Sequence, residues 1–410
     1  MTKRENVLEK SGLVDKPLSF LETTSIIIGT NIGAGILGLA FASRKSGYLP
    51  LLFWLLTAGA ITCISMLYVA EVCLRTKGNH QLSGLMRRYF GQAGAGIIFF
   101  GVASNTYGAL IAYMTGSGQI LASFFSSYGL TPLMGSCLFL LPVALVLFLG
   151  LKALGVGEKY LSVGLVVLIF TLIGATTVHE NLRPERLLET HWLYMVPVFN
   201  VAVFCFSAQY MVPEMVRGNK STPRKIPAAI ILGTFCTFVF LAAMPAAIIS
   251  LCGLNELSEV ATINWGMKLG PWAYFIANIF ALIAMLTSYW GLGGSLFTNI
   301  FDLFKLGDER NKLKRMGVLT LVCLPPLIIV YSDLASFVDA LYFAGSFGGI
   351  IMTIAPVFML RKARMLGELQ PAWGCGWYAV FWLQGTIILL YAASAIYAIL
   401  AAFGRLPTGW

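Results

Sequence analysis

Charge is scarce in this sequence: Asp, Glu, Lys and Arg make up 11% of its 410 residues, and histidine occurs three times. Soluble domains carry about a quarter charged residues, so this scarcity excludes a water-soluble globular chain. His80, His179 and His191 fall at or beyond the ends of apolar runs, which argues against a helix-buried metal site. Eight cysteines stand singly within or beside apolar runs. They point to neither a disulfide framework nor a metal cluster. The N-terminus is polar and mixed in charge over 1–19 and lacks a short apolar core with a cleavage site, so no removable signal peptide is expected. No phosphate loop, zinc-ligand helix or nucleophile–His–acid set occurs. The chain is therefore not expected to be an enzyme or to carry a cofactor other than a coupling ion.

What is abundant is hydrocarbon. Hydrophobic residues are 58% of the chain and the mean hydropathy is +0.80. Apolar runs of about 20 residues, enough to cross the hydrocarbon of a bilayer, recur from end to end. The pattern predicts an all-α polytopic membrane protein with eleven spans, near 20–43, 48–74, 96–127, 132–150, 158–179, 192–216, 224–252, 271–303, 315–331, 335–360 and 373–403. With the N-terminus inside, 22 of the 28 Lys and Arg fall on inner segments and 6 on outer ones. The positive-inside rule thus predicts a plasma (inner) membrane protein with a cytoplasmic N-terminus and an extracytoplasmic C-terminus. It also accounts for the net charge of +10 without nucleic acid. The expected partners are the bilayer and a small molecule; no protein partner is indicated.

Two spans carry interruptions. Gly29-Thr30-Asn31-Ile32-Gly33-Ala34-Gly35 puts three glycines into the middle of the first. Unwound backbone at bilayer depth is tolerated only beside protein or a water-filled cavity. The stretch reads either as a ligand-holding break or as a small-residue helix contact. The sixth span holds Phe206-Ser207-Ala208-Gln209 at depth with Pro213 a turn later, which predicts a second discontinuous helix. Breaks in the first and sixth spans are where two five-helix repeats of inverted topology, 20–179 and 192–360, would each begin, with 373–403 as an extra helix.

Other polar groups are sparser. Thr287 and Ser288 form a hydroxyl pair on the eighth span, suited to Na⁺ or simply bonded to their own helix carbonyls. Glu71, Glu214 and Asp302 lie near Arg75, Arg217 and Lys305, where ion pairing is the modest reading. Asp339 sits one turn into the tenth span. Tyr107, Tyr113, Tyr289 and Trp290 fall deep in spans, as cavity walls or as ordinary packing.

The chain resembles the amino acid–polyamine–organocation superfamily of permeases, nearest the aromatic and hydroxy amino acid permeases and related to the amino acid/auxin permeases. Gly29 to Leu39 is similar to a GTxIGAGxLxLP motif, with Ala40 where proline is usual. Glu71 to Thr76, Ala112 to Gly116, Thr287 to Gly291, Leu324 to Leu327 and Ala340 to Gly345 resemble further motifs in the same order. The resemblance implies a leucine-transporter-like fold working by alternating access. It implies a substrate carboxylate on the N–H groups of Gly33, Ala34 and Gly35, with Asn31 beside them. It places the amino group on carbonyls near Phe206, Ser207 and Ala208, and makes Tyr113, Phe206, Gln209 and Tyr289 walls. For the ion it implies Gly29, Ile32, Ala284, Thr287 and Ser288. Two departures stand out: Cys205-Phe206-Ser207-Ala208-Gln209 replaces the usual SFGF followed by His, and Thr298 stands where Asp is frequent. The fifth span has no Lys in its middle, so Na⁺ is preferred over H⁺ as the coupling ion. The expected activity is cation-coupled symport of an aromatic or bulky neutral amino acid. A non-transporting nutrient receptor on the same fold and a channel are the competing classes.

Overall fold

A computed structural model describes residues 17–33, 35–149, 154–304, 311–407, 409 and 410. Among them the protein is all-helical; a lone pairing of Gly47 with Thr190 is the nearest approach to a sheet. Eight helices are long and apolar enough to cross a membrane, or nine if the bent pair Phe20–Asn31 and Gly35–Ala42 is one span. These two are α1 and α2, followed by α3 (Tyr48–Arg75), α4 (Leu82–Phe124), α5 (Pro132–Leu149) and α6 (Leu154–Thr177). Next come α7 (Met195–Cys205), α8 (Val212–Gly218), α9 (Ile226–Cys252), α10 (Ala261–Leu269) and α11 (Pro271–Leu303). The last are α12 (Lys312–Tyr331), α13 (Phe337–Phe343), α14 (Ile350–Leu366) and α15 (Phe381–Ala402). Leu141, Phe170, Phe235 and Leu389 are large, apolar and exposed. In water such a surface would drive aggregation, whereas against lipid it costs nothing.

The centre is α7, where Val198, Asn200, Val201, Ala202 and Val203 are all fully buried. It packs on α2, α3, α13 and a π-helical turn, Ala344–Gly349, that joins α13 to α14. Gly345 lies so close to α7 that a Cβ there would sit 1.8 Å from the Asn200 carbonyl oxygen, and one on Gly348 would lie 2.4 Å from Asn105 Cβ. Side-chain-free backbone is what lets three elements converge here.

The first interruption is narrower than the glycine spacing suggests. α1 begins on a capping box of Ser19 with Glu22 and runs through Gly29 to Asn31. Ile32 ends it at φ −84°, ψ 74°, with its N–H still donating to the Ile28 carbonyl at 2.8 Å. α2 restarts at Gly35, bent 49° from α1. One glycine costs a helix about 1 kcal/mol, which does not outweigh its hydrogen bonds in an apolar medium, so Gly29 stays helical. The second interruption is where expected, but Pro213 does not make it. α7 ends at Cys205, a 3₁₀ turn spans Gln209–Met211, and Pro213 opens α8, where its missing N–H has no helical acceptor to lose. α4 starts earlier than predicted, at Leu82, and turns at Gly91 (φ +67°), a conformation glycine adopts freely.

The acidic residues settle modestly. Glu214 pairs with Arg217. Asp339 caps its own helix with Ser336 and accepts the Trp410 indole N–H at 2.9 Å. The side chain of Asp302 and the whole of Ala34 lie outside the described residues.

Candidate functional site

Two cavities border the first break, and Gly33 lines both. The first, the polar cavity, is lined by polar and apolar groups in near-equal measure. α1, the break and α2 give it Thr30, Asn31, Gly33 and Gly35; α4 gives Asn105 and Tyr113. Phe204 comes from the end of α7, Ser207 and Tyr210 from the second break, and Leu292 from α11. The two breaks therefore face one another across a shared space, as half-helix ends must if they are to hold a ligand.

Asn31 is the decisive side chain. It is 5% exposed, and neither its Nδ2 nor its Oδ1 has a hydrogen-bond partner. A buried amide left unpaired costs roughly 1–3 kcal/mol for each group, so both atoms are free to meet a polar ligand. Tyr113 closes the space from α4: a Cβ on Gly33 would lie 3.7 Å from its hydroxyl oxygen, and Ser288 stands beside that hydroxyl. Gly35 admits nothing larger, since a Cβ there would meet Cys205 Sγ at 2.9 Å and Phe204 Cε1 at 3.0 Å.

The second break is more engaged with itself than expected. The Phe206 carbonyl accepts the Ala208 N–H at 2.8 Å, and the Ala208 carbonyl accepts the Met211 N–H at 3.1 Å. Each retains one lone pair. Ser207 reaches the cavity, its hydroxyl donating to the Val203 carbonyl at 2.8 Å. The Phe206 ring points elsewhere, against α3, where a Cβ on Gly59 would touch it at 3.0 Å. Gln209 is fully buried and donates to the Thr353 hydroxyl at 3.0 Å. Tyr289 packs on Tyr113 and Phe139, ring centroids 6.5 and 6.1 Å apart. Phe206, Ala208, Gln209 and Tyr289 line neither cavity.

Phe204, Asn105, Thr30, Tyr210 and Leu292 line the polar cavity without having been singled out. The turn after Cys205 decides which phenylalanine faces inward, and sequence does not carry that phase. Asn105 did leave a signal, an amide at bilayer depth.

The second cavity is apolar. It runs from Gly33, Ile36 and Leu37 to Ile169 and Leu172 of α6, Trp265 of α10, and Ala281, Ala284 and Met285 of α11. Of the residues expected to hold an ion, Ala284 alone lines either of these two cavities. Gly29 is on an exposed face of α1, Ile32 is 5% exposed in the break, and the Thr287 hydroxyl donates to its own helix carbonyls, Ile283 and Ala284, both at 3.1 Å. Among the described residues no three His, Cys, Asp or Glu are grouped to hold a metal.

Known proteins resemble this chain over most of its length. The chain is 25% identical over 374 residues to a tryptophan-specific transport protein of Haemophilus influenzae, covering 85% of this chain and 88% of that one. It is 24% identical over 370 residues to tyrosine-specific transport system 1 of the same organism, covering 86% and 90%. It is 23% identical over 356 residues to glutamine transporter 2 of Aliivibrio fischeri, covering 82% and 88%. The family and these relatives are transport proteins, not enzymes. With its profile matched over residues 16–392, the chain belongs to the tryptophan/tyrosine permease family.

Proposed function

We propose that this protein is a secondary amino acid transporter in which the polar cavity holds the α-amino and α-carboxylate groups of the substrate. The carrying observation is the buried, unpartnered Asn31 amide in a space bounded by two helix breaks. In this reading the start of α2 offers the positive end of a half-helix to the carboxylate, and Ser207, which lines the cavity, with the backbone around it takes the amino group. Relatives named for tryptophan, tyrosine and glutamine support an amino acid as cargo, and the apolar cavity beside the site suits an aromatic or bulky neutral one.

The architecture in this reading is the leucine-transporter-like arrangement of the amino acid–polyamine–organocation superfamily, with eleven spans in the plasma membrane, N-terminus cytoplasmic. α5 and α6 supply the fourth and fifth spans. Transport proceeds by alternating access with a co-transported cation. Na⁺ is favoured over H⁺, because among the described residues that line the two cavities there is no Asp, Glu, His or Lys to carry a proton. The cation takes oxygen from Thr287 and Ser288 together with carbonyls of Gly29, Ile32 and Ala284.

Uptake into proteoliposomes tests the reading. Accumulation of an amino acid driven by an inward Na⁺ gradient is expected, with the Na⁺ dependence removed by replacing Thr287 and Ser288 with Ala. Accumulation driven by a proton gradient in Na⁺-free buffer overturns the ion assignment. Binding without accumulation makes the protein a receptor.

A further inference from the structure

α14 ends in a run of cations that are not held alike. Arg364 shares the Glu71 carboxylate with Arg75 of α3, and Glu368, in the loop after α14, pairs with Arg88 of α4. Arg361 and Lys362 pair with no carboxylate among the described residues. Uncharged groups hold them instead. Arg361 Nε donates to Gln384 Oε1 of α15 at 2.6 Å, and its guanidinium lies 5.2 Å from the centre of the Phe381 ring. The Lys362 ammonium lies 5.7 Å from the centre of the Phe90 ring of α4. A ring face attracts a cation without neutralising it, so both charges are positioned and uncompensated.

The two cations lean apart, Arg361 toward α15 and Lys362 toward α4, and α14 packs on both helices. Phe358 comes three residues before one and four before the other. At 3.6 residues per turn it projects between them, about 60° from Arg361 and about 40° from Lys362, one turn deeper in the span. Its ring is 41% exposed. Phe381 and Trp382, at the start of α15, are more exposed still. This face of α14 is therefore a groove between α4 and α15, with two cations at its mouth and hydrocarbon on its floor.

We infer that this groove binds an anionic phospholipid of the surrounding leaflet, with its phosphodiester on Arg361 and Lys362 and an acyl chain along Phe358. The inference rests on the chain's spanning a bilayer and is independent of what it carries. Charge complementarity selects the occupant. A zwitterionic lipid brings a cation of its own to two that are already unpaired, whereas a glycerol head group does not. An acidic protein segment would answer the charges but leave the exposed Phe358 ring uncovered. Each basic residue near an anionic membrane surface contributes roughly fivefold to association, so the pair should favour an anionic lipid on the order of twentyfold.

The test is native mass spectrometry of the purified full-length protein titrated with phosphatidylglycerol or phosphatidylcholine, reading the affinity of the first lipid bound. Phosphatidylglycerol should bind on the order of twentyfold more tightly, and Arg361→Gln with Lys362→Gln should bring the two lipids within about threefold. Arg44→Gln with Lys45→Gln removes two exposed charges that precede α3, at the end of that helix remote from Glu71, and should leave the preference unchanged. Equal loss in the two double variants reduces the effect to net charge and overturns the site, as does the absence of a preference in the unsubstituted protein. Glycerol 3-phosphate, a head group without chains, should not displace the lipid; displacement makes this a site for a soluble phosphate and overturns the lipid assignment. Should loss of the Gln384 bond prevent folding, Lys362→Glu alone should lower the preference at least about fivefold. An unchanged preference in that variant overturns the site.

Discussion

The fully buried carboxylate of Glu71 and the guanidinium of Arg364 form a two-point contact, Nε to Oε1 and Nη2 to Oε2, each at 3.0 Å. Arg75 adds a bond to Oε1 at 2.7 Å, and the backbone N–H of Cys375 one to Oε2 at 2.6 Å. Arg364 in turn donates to the Cys375 carbonyl at 2.6 Å. One carboxylate thus ties the end of α3 to α14 and to the loop leading to α15. Glu71→Gln leaves two cations without their anion and should lower stability by about 3 kcal/mol, the low end for breaking a buried pair. Arg75→Ala removes a single contact and should cost less. Thermal midpoints in detergent, with proteolytic cleavage in the 367–380 loop as a second readout, check this. Equal midpoints for the two variants contradict the ranking.

Asn31→Leu should separate stability from transport. Two unpaired buried amide atoms disfavour the empty protein, so an isosteric apolar residue is expected to raise the thermal midpoint, by about 1 kcal/mol or more in free energy. The same variant should lose uptake. A lower midpoint with retained uptake would show that Asn31 is a structural residue.

Gly345→Ala and Gly291→Ala give opposite expectations from one chemical change. A Cβ on Gly345 would stand 1.8 Å from the Asn200 carbonyl oxygen, whereas one on Gly291 meets nothing within 4 Å. Gly345→Ala should push α7 from the π turn and abolish folded expression. Gly291→Ala should express normally and gain up to about 1 kcal/mol of helix propensity. Size-exclusion profiles of the two variants decide it.

Tyr289 is fully buried against protein and lines neither cavity, with its hydroxyl 3.8 Å from Met114 Sδ. Tyr289→Ala should therefore cost about 3–5 kcal/mol of stability, as expected for truncating a buried aromatic. Uptake should fall equally for every substrate, in proportion to folded protein. A change in substrate ranking at unchanged expression would place the ring in the transport path.

Sequence alone determined the solvent of this protein and its all-helical character. Hydrocarbon length and the scarcity of charge are one-dimensional properties, and a bilayer leaves an isolated apolar segment little choice but helix. It also located the two interruptions to within a few residues, because glycine and polar runs stand out against apolar background. Local ion pairs such as Glu71 with Arg75 were legible for the same reason: partners four residues apart share a helix face. Tertiary structure decided what the interruptions present. Gly29 kept its helix, Phe204 rather than Phe206 turned inward, and Gln209 went to Thr353, because each orientation depends on the phase left by a few irregular residues. The Glu71–Arg364 contact and the two cavities that border Gly33 bring together segments distant in the chain. Such encounters are set by how whole helices pack, and no local pattern encodes them.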